Sequence, residues 1–70
     1  MIYYGKIAAN QYSEAFDSTR DFDNPDSALR SIKARNKKDW RDCFVWVVCV
    51  DSIGNVRNMV KYEDKEWRSI

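Results

Sequence analysis

The stretch that decides the fold is Cys43-Phe44-Val45-Trp46-Val47-Val48-Cys49-Val50. This unbroken apolar run, rich in β-branched and aromatic residues and bounded by Asp42 and Asp51, reads as a strand buried on both faces. Such a strand belongs at the centre of a sheet. Its odd residues, Cys43, Val45, Val47 and Cys49, are small and suit the close approach of a helix. Its even residues, Phe44, Trp46, Val48 and Val50, are bulky and lie on the other face. The run is also too short to cross a bilayer, which takes about 20 apolar residues. No partner in a membrane is expected.

Immediately upstream, Asp23-Asn24-Pro25-Asp26-Ser27 is a helix start. Asn24 fits the N-cap, Pro25 the first helical position where its missing N–H costs nothing, and Asp26 the positive end of the helix dipole. Pro25, Ala28, Leu29 and Ile32 fall on one side at helical spacing, and Asp26 stands one turn before Arg30 as an ion pair. Asn36 is the stop. The apolar stripe is short, so this helix must pack on a sheet to persist.

The remaining segments complete that sheet. Ile2 to Ala9 alternates as a first strand, with Tyr3, Gly5 and Ile7 on one face and Tyr4, Lys6 and Ala8 on the other. Asn10 and Gln11 mark a turn, and Tyr12 to Phe22 alternates as an exposed second strand. Asp51-Ser52-Ile53-Gly54-Asn55 is hairpin-loop chemistry, leading into a last strand from Val56 to Glu63. A tail, Asp64 to Ile70, carries Trp67. The order is ββαββ: an α+β fold, residues 1–70 forming one domain, in which a four-stranded antiparallel sheet carries one helix on one face.

Composition narrows the function. With no His, two Gly, one Pro and two Cys in 70 residues, a histidine triad, a zinc finger, a Gly-rich phosphate loop and a disulfide scaffold are all excluded. No cofactor, metal or catalytic residue is expected. Carboxylate groupings such as Asp21, Asp23 and Asp26, or Glu63, Asp64 and Glu66, read as strand ends and caps. Cys43 and Cys49 lie about 20 Å apart along one extended strand, far beyond the roughly 7 Å that a disulfide allows between Cα atoms. They read as free thiols, as in the reducing cytoplasm. Met1-Ile2-Tyr3-Tyr4-Gly5-Lys6 reaches a charge too soon for a signal peptide, and the expected location is cytoplasmic.

Aromatic residues make up 14% of the chain, more than a core of this size needs. The even face of the central strand is where the excess concentrates. Either the chain's own Tyr4, Tyr62, Trp40 and Trp67 cap that face, or a partner or second copy does. Charge is equally uneven. Residues 28–41 hold six basic side chains, Arg30, Lys33, Arg35, Lys37, Lys38 and Arg41, against Asp39 alone, while the flanking segments are both net negative. Such a patch meets phosphates or an acidic protein surface, with Trp40 able to anchor or stack. The competing reading is that these cations complement the helix dipole and solvate the surface.

The ββαββ order, the opening Asn24-Pro25-Asp26-Ser27-Ala28-Leu29 and the ending Val60-Lys61-Tyr62-Glu63-Asp64-Lys65-Glu66-Trp67 resemble small phage-encoded proteins that disable host machinery. Among these, the type I-F anti-CRISPR inhibitors also end in a Tyr, acidic and Lys-rich stretch followed by Trp. Similar topology occurs in phage inhibitors of host RNA polymerase. The resemblance implies a non-enzymatic inhibitor that binds the CRISPR surveillance complex over a surface needed for target DNA. It implies contact residues at Lys61, Tyr62, Lys65 and Trp67, with Arg30 and Lys33 beside them. This chain departs from that pattern in a more aromatic first strand and a more basic loop after the helix. Three functions stay open: inhibition of a host protein or ribonucleoprotein complex, direct binding of nucleic acid phosphates by the basic helix end, and self-association as a structural protein. The chain acts as a monomer or a homodimer.

Overall fold

In a computed structural model describing residues 1–70, the strands are β1 (Ile2–Ala8), β2 (Asp17–Ser18), β3 (Phe44–Val50), β4 (Val56–Lys61) and β5 (Trp67–Ser69). One helix, α1 (Pro25–Arg35), and a 3₁₀ turn, Trp40–Asp42, connect β2 to β3. The strands form a single antiparallel sheet in the order β2-β1-β3-β4-β5. The apolar run is therefore the middle strand, paired along its whole length with β1, from Ile2 opposite Val50 to Ala8 opposite Phe44. The α+β class, the antiparallel sheet and the single helix agree with the sequence reading. The strand count does not, being five rather than four.

The helix starts and stops on the residues that the local chemistry selects. The Asn24 side chain accepts a hydrogen bond from the Ser27 N–H at 2.8 Å, and Pro25 opens the first turn. At the other end, Asn36 donates its side-chain amide to the Ile32 carbonyl at 3.0 Å and to Asp17 at 3.1 Å. Ala28 and Ile32 are fully buried against the face of the sheet that carries Gly5, Ile7 and Val47. Gly5 sets the depth of this packing. A Cβ there would lie 2.6 Å from the Ala28 carbonyl oxygen and 2.8 Å from the Ile32 Cβ, distances that real side chains do not tolerate.

The expected second strand, Tyr12 to Phe22, is the main correction. Only Asp17–Ser18 pairs regularly with β1, and Phe22 adds an isolated bridge to Tyr3. Asn10 ends β1 in a tight turn, its Oδ1 accepting from the Tyr12 N–H and the Ser13 hydroxyl. Between the two paired regions the β2 side carries one extra residue, a bulge. There the Thr19 hydroxyl takes over as acceptor for the Gly5 N–H at 2.8 Å. The second correction is the tail, whose residues Trp67–Ser69 form a fifth strand on β4. The chain reverses through Lys65, at φ 67°, with Asp64 accepting from the Glu66 N–H.

Register divides the side chains into two layers. Facing α1 are Tyr3, Gly5, Ile7, Val45, Val47, Cys49, Met59, Lys61 and Trp67. The opposite face holds Tyr4, Lys6, Phe44, Trp46, Val48, Val50, Asn58 and Val60, and no helix or strand packs across it. Trp67 thus belongs to the helix side and does not cap the even face of β3. Trp40, standing under Lys33 of α1, does not cap it either. No helix is long and apolar enough to cross a membrane. Both cysteines are free, Cys49 buried and Cys43 half-buried.

Candidate functional site

The 3₁₀ turn follows α1 closely enough to return Trp40 to the last turns of the helix. Lys33 Nζ stands 4.3 Å from the centroid of the Trp40 ring, and the Arg41 guanidinium carbon 4.7 Å from it. Neither cation has a carboxylate within 4.0 Å. The indole face supplies the only compensation, worth about 0.5–1 kcal/mol per exposed cation–π contact. Two positive charges are therefore held together on one aromatic ring without being neutralised.

Beside this ring the sheet opens. The β3–β4 ladder runs from Val50 opposite Val56 to Val47 opposite Met59 and ends there. Further along β4, Val60 and Lys61 pair with β5 on the outer side, while Phe44, Val45 and Trp46 stay paired with β1 alone. The gap left between the parted strands is a groove of about 450 Å³, bordered by Leu29, Lys33, Trp40, Val45, Val60 and Lys61. Its apolar lining is both aliphatic and aromatic, with Phe44 and Tyr62 beside Val45 and Val60, and its cations are Lys33, Arg41 and Lys61. A second hollow of about 390 Å³ shares Leu29, Lys33 and Lys61 and adds Asp26 and Arg30.

Lys61 is the hinge of this arrangement. Its Nζ donates to Asp26 Oδ1 at 2.5 Å and lies 5.9 Å from the Trp67 ring. The hydrogen bond from Lys61 holds the Asp26 carboxyl below the usual carboxylate range, partly opposed by desolvation. The dipole of the Trp67 indole adds to that lowering, although its buried Nε1–H closes no hydrogen bond of proper geometry. The expected Asp26–Arg30 ion pair does not form. Lys61 takes that carboxylate, which leaves Arg30 as a more distant positive neighbour.

The residues picked from the sequence separate into groups. Lys33, Trp40, Arg41, Lys61 and Tyr62 all border the groove, and Arg30 borders the adjoining hollow. Arg35 instead grips Asp17 through two hydrogen bonds of 2.9 and 3.0 Å, tying the C-terminal end of α1 to β2. That pair, with Asn36 helping, pulls the Asp17 carboxyl down to about 2 against the desolvation that would raise it. Lys37 and Lys38 flank a hollow of about 280 Å³ at the helix end, which Arg35 also lines. Lys65 sits in the β4–β5 turn, and Trp67 under Lys61 on the helix side. The six-residue basic cluster thus divides in two, Arg30, Lys33 and Arg41 at the groove and its adjoining hollow, and Arg35, Lys37 and Lys38 at the helix end.

Reasoning from sequence gave the groove walls Leu29, Cys43 and Val45 to the packing of helix on sheet, and Val60 only a place in the alternating last strand. Their signal was adjacency: Cys43 to Val45 follow Trp40-Arg41 after the single residue Asp42, so the apolar run begins just beyond the basic stretch. No group of three or more His, Cys, Asp or Glu side chains comes together anywhere in the fold. Comparison with protein-family models, with curated proteins and with solved structures returned no match to this chain.

Proposed function

We propose that this chain is a non-enzymatic binding protein that inhibits a nucleic-acid-handling assembly in the cytoplasm of a host cell, with a CRISPR surveillance complex as the first candidate. The observation that carries the reading is the Lys33–Trp40–Arg41 cluster at the mouth of the groove. An unneutralised pair of cations fixed on an indole, beside an apolar groove, suits an acidic protein surface that offers one apolar anchor. Trp and Arg are the residue types that most often dominate such interfaces. Charge there steers encounter and sets specificity. Lys61 and Tyr62, two of the positions that the resemblance to type I-F inhibitors picks out, border the same groove. Direct binding of phosphates by the helix end is the weaker reading, because Arg35, which lines one hollow with Lys37 and Lys38, is already committed to Asp17.

The test is co-elution of the purified chain with a reconstituted type I-F surveillance complex, followed by a target-DNA binding assay. A stable complex with reduced DNA binding, both lost in the Lys33→Glu/Arg41→Glu variant, is the expected result. No co-elution and undiminished DNA binding would sink this target. Loss of binding on Lys37→Glu/Lys38→Glu, with Lys33→Glu/Arg41→Glu unaffected, would move the contact away from the groove.

A further inference from the structure

The groove is walled by backbone as well as by side chains. Along β1, the N–H and C=O groups of Tyr3, Gly5 and Ile7 bond outward, to Phe22, Thr19 and Phe16. The even residues of β1 therefore bond to the even residues of β3, and the odd residues of β3 turn their groups toward β4. Cys49 and Val47 meet Arg57 and Met59 there. The next rung in this register joins Val45 to Lys61, and it is not made, because the ladder has already ended. On β4 the even residues bond to the far side, Asn58 accepting from the Ile70 N–H and the Tyr62 N–H donating to Glu66. Val45 and Lys61 thus each turn one N–H and one C=O into the groove, and no loop backbone bonds to them.

The side chains differ on the two sides of this opening. Val45, Lys61 and the Lys33–Trp40–Arg41 cluster stand on the helix side, and Phe44, Val60 and Tyr62 on the other. Lys61 is occupied by Asp26, so the cations without a carboxylate are Lys33 and Arg41. Resting on the binding role argued above, we propose that the groove receives an extended segment of the partner protein, which adds as a strand along Phe44–Trp46 and carries an acidic residue between two apolar ones. A residue paired with Val45 puts its side chain on the helix side, where a carboxylate meets Lys33 and Arg41. Its two neighbours fall opposite Phe44 and Trp46 and point the other way, where apolar side chains cover Phe44, Val60 and Tyr62. Strand addition draws affinity from main-chain bonds and selectivity from alternate side chains. A second copy does not supply this segment: none of the 11 acidic residues of this chain has an apolar residue on both sides. A polynucleotide offers phosphates but no row of alternating N–H and C=O groups.

The probe is a capped peptide, Ser-Thr-Val-Glu-Val-Thr-Ser, titrated into the isotope-labelled full chain and followed by NMR. The Val45 amide signal should move and its exchange with solvent should slow, with smaller shifts at the Trp40 indole. Changing the peptide's Glu to Gln should weaken binding about fivefold. A methyl on the backbone nitrogen of that Glu, which faces the Val45 carbonyl, should weaken it about tenfold. The same methyl on the following residue, whose N–H faces away from β3, should matter much less. Lys33→Glu/Arg41→Glu should reverse the preference, toward a peptide with Lys in place of Glu. Three results would overturn the inference: no movement of the Val45 amide at millimolar peptide; equal binding of the peptide methylated at Glu; or a stronger shift of the same amide by a thymidine homopolymer or by self-association seen in light scattering. Co-elution with the surveillance complex alongside any of these leaves the inhibitor reading standing and overturns the strand site alone. Peptide binding without co-elution supports the strand site and overturns only the choice of target.

Discussion

At Gly5 the missing side chain lets the helix come down onto the sheet, and restoring a single methyl is a strong perturbation. The Gly5→Ala Cβ would collide with backbone at Ala28 and with Ile32 together, so α1 must move outward and uncover Val47. A loss of about 1–3 kcal/mol is expected, as for overpacked cores. Thermal unfolding followed by helical circular dichroism should show a drop of about 4–8 °C per kcal/mol in a domain of this size. Asp17 gives a second residue-scale test. Its folded carboxyl titrates at about 2, below the ordinary 3.8. The stabilisation from its pair with Arg35 is therefore complete above pH 4 and disappears as the pH falls toward 2. Asp17→Asn should lower the melting temperature at pH 6 and change it least at pH 2, flattening that part of the profile. Asp26 and Asp51, also held below their ordinary range, keep part of the acid sensitivity in the variant.

At the scale of the element, α1 depends on its cap. Asn24→Ala removes the acceptor for the Ser27 N–H and should cost about 1 kcal/mol, measured by urea denaturation. Arg35→Glu should destabilise more than Lys37→Glu or Lys38→Glu, because it sets two carboxylates against each other at Asp17. The two lysine changes should stay within about 0.5 kcal/mol, as for ordinary surface positions. These contrasts show what could be read without coordinates. The helix was legible because its signals, Asn24, Pro25 and Asn36, act within one turn of where they sit. β1 and β3 were legible because their alternation or apolar run is long. The short second strand was not, since a bulge and the Thr19 hydroxyl replace ladder pairing over part of Tyr12 to Phe22. β5 escaped because its turn places Lys65, not glycine or asparagine, at positive φ. At the groove, Lys33, Trp40 and Arg41 are near neighbours along the chain, and their association could be anticipated. Lys61 reaches Asp26 only through sheet register, which no local pattern encodes.

Across the whole molecule, order should decline from β3 outward. Val47, Val48 and Cys49 are buried between β1 and β4, and their amides should exchange with deuterium only on global unfolding. Amides of Tyr62 to Ile70, on the short outermost strand and its turn, should exchange fastest among the paired residues, detectably by NMR. The two surfaces also differ in what they offer. The groove between β3 and β4 carries the cations Lys33, Arg41 and Lys61, and the open face carries Tyr4 and Trp46, while Phe44 borders both. Lys33→Glu/Arg41→Glu changes charge at the Trp40 ring, on the helix side of that shared border.

The pairing of β1 with β3 also imposes an order in time. Ala8 cannot find its place until Phe44 has been synthesised, nor Ile2 until Val50. At about 5–20 residues per second, the first strand made waits some seconds for the strand that completes it. Its partner is complete at Val50, before β4 (Val56–Lys61) has been made, so the first strand can be locked in place ahead of the β3–β4 hairpin.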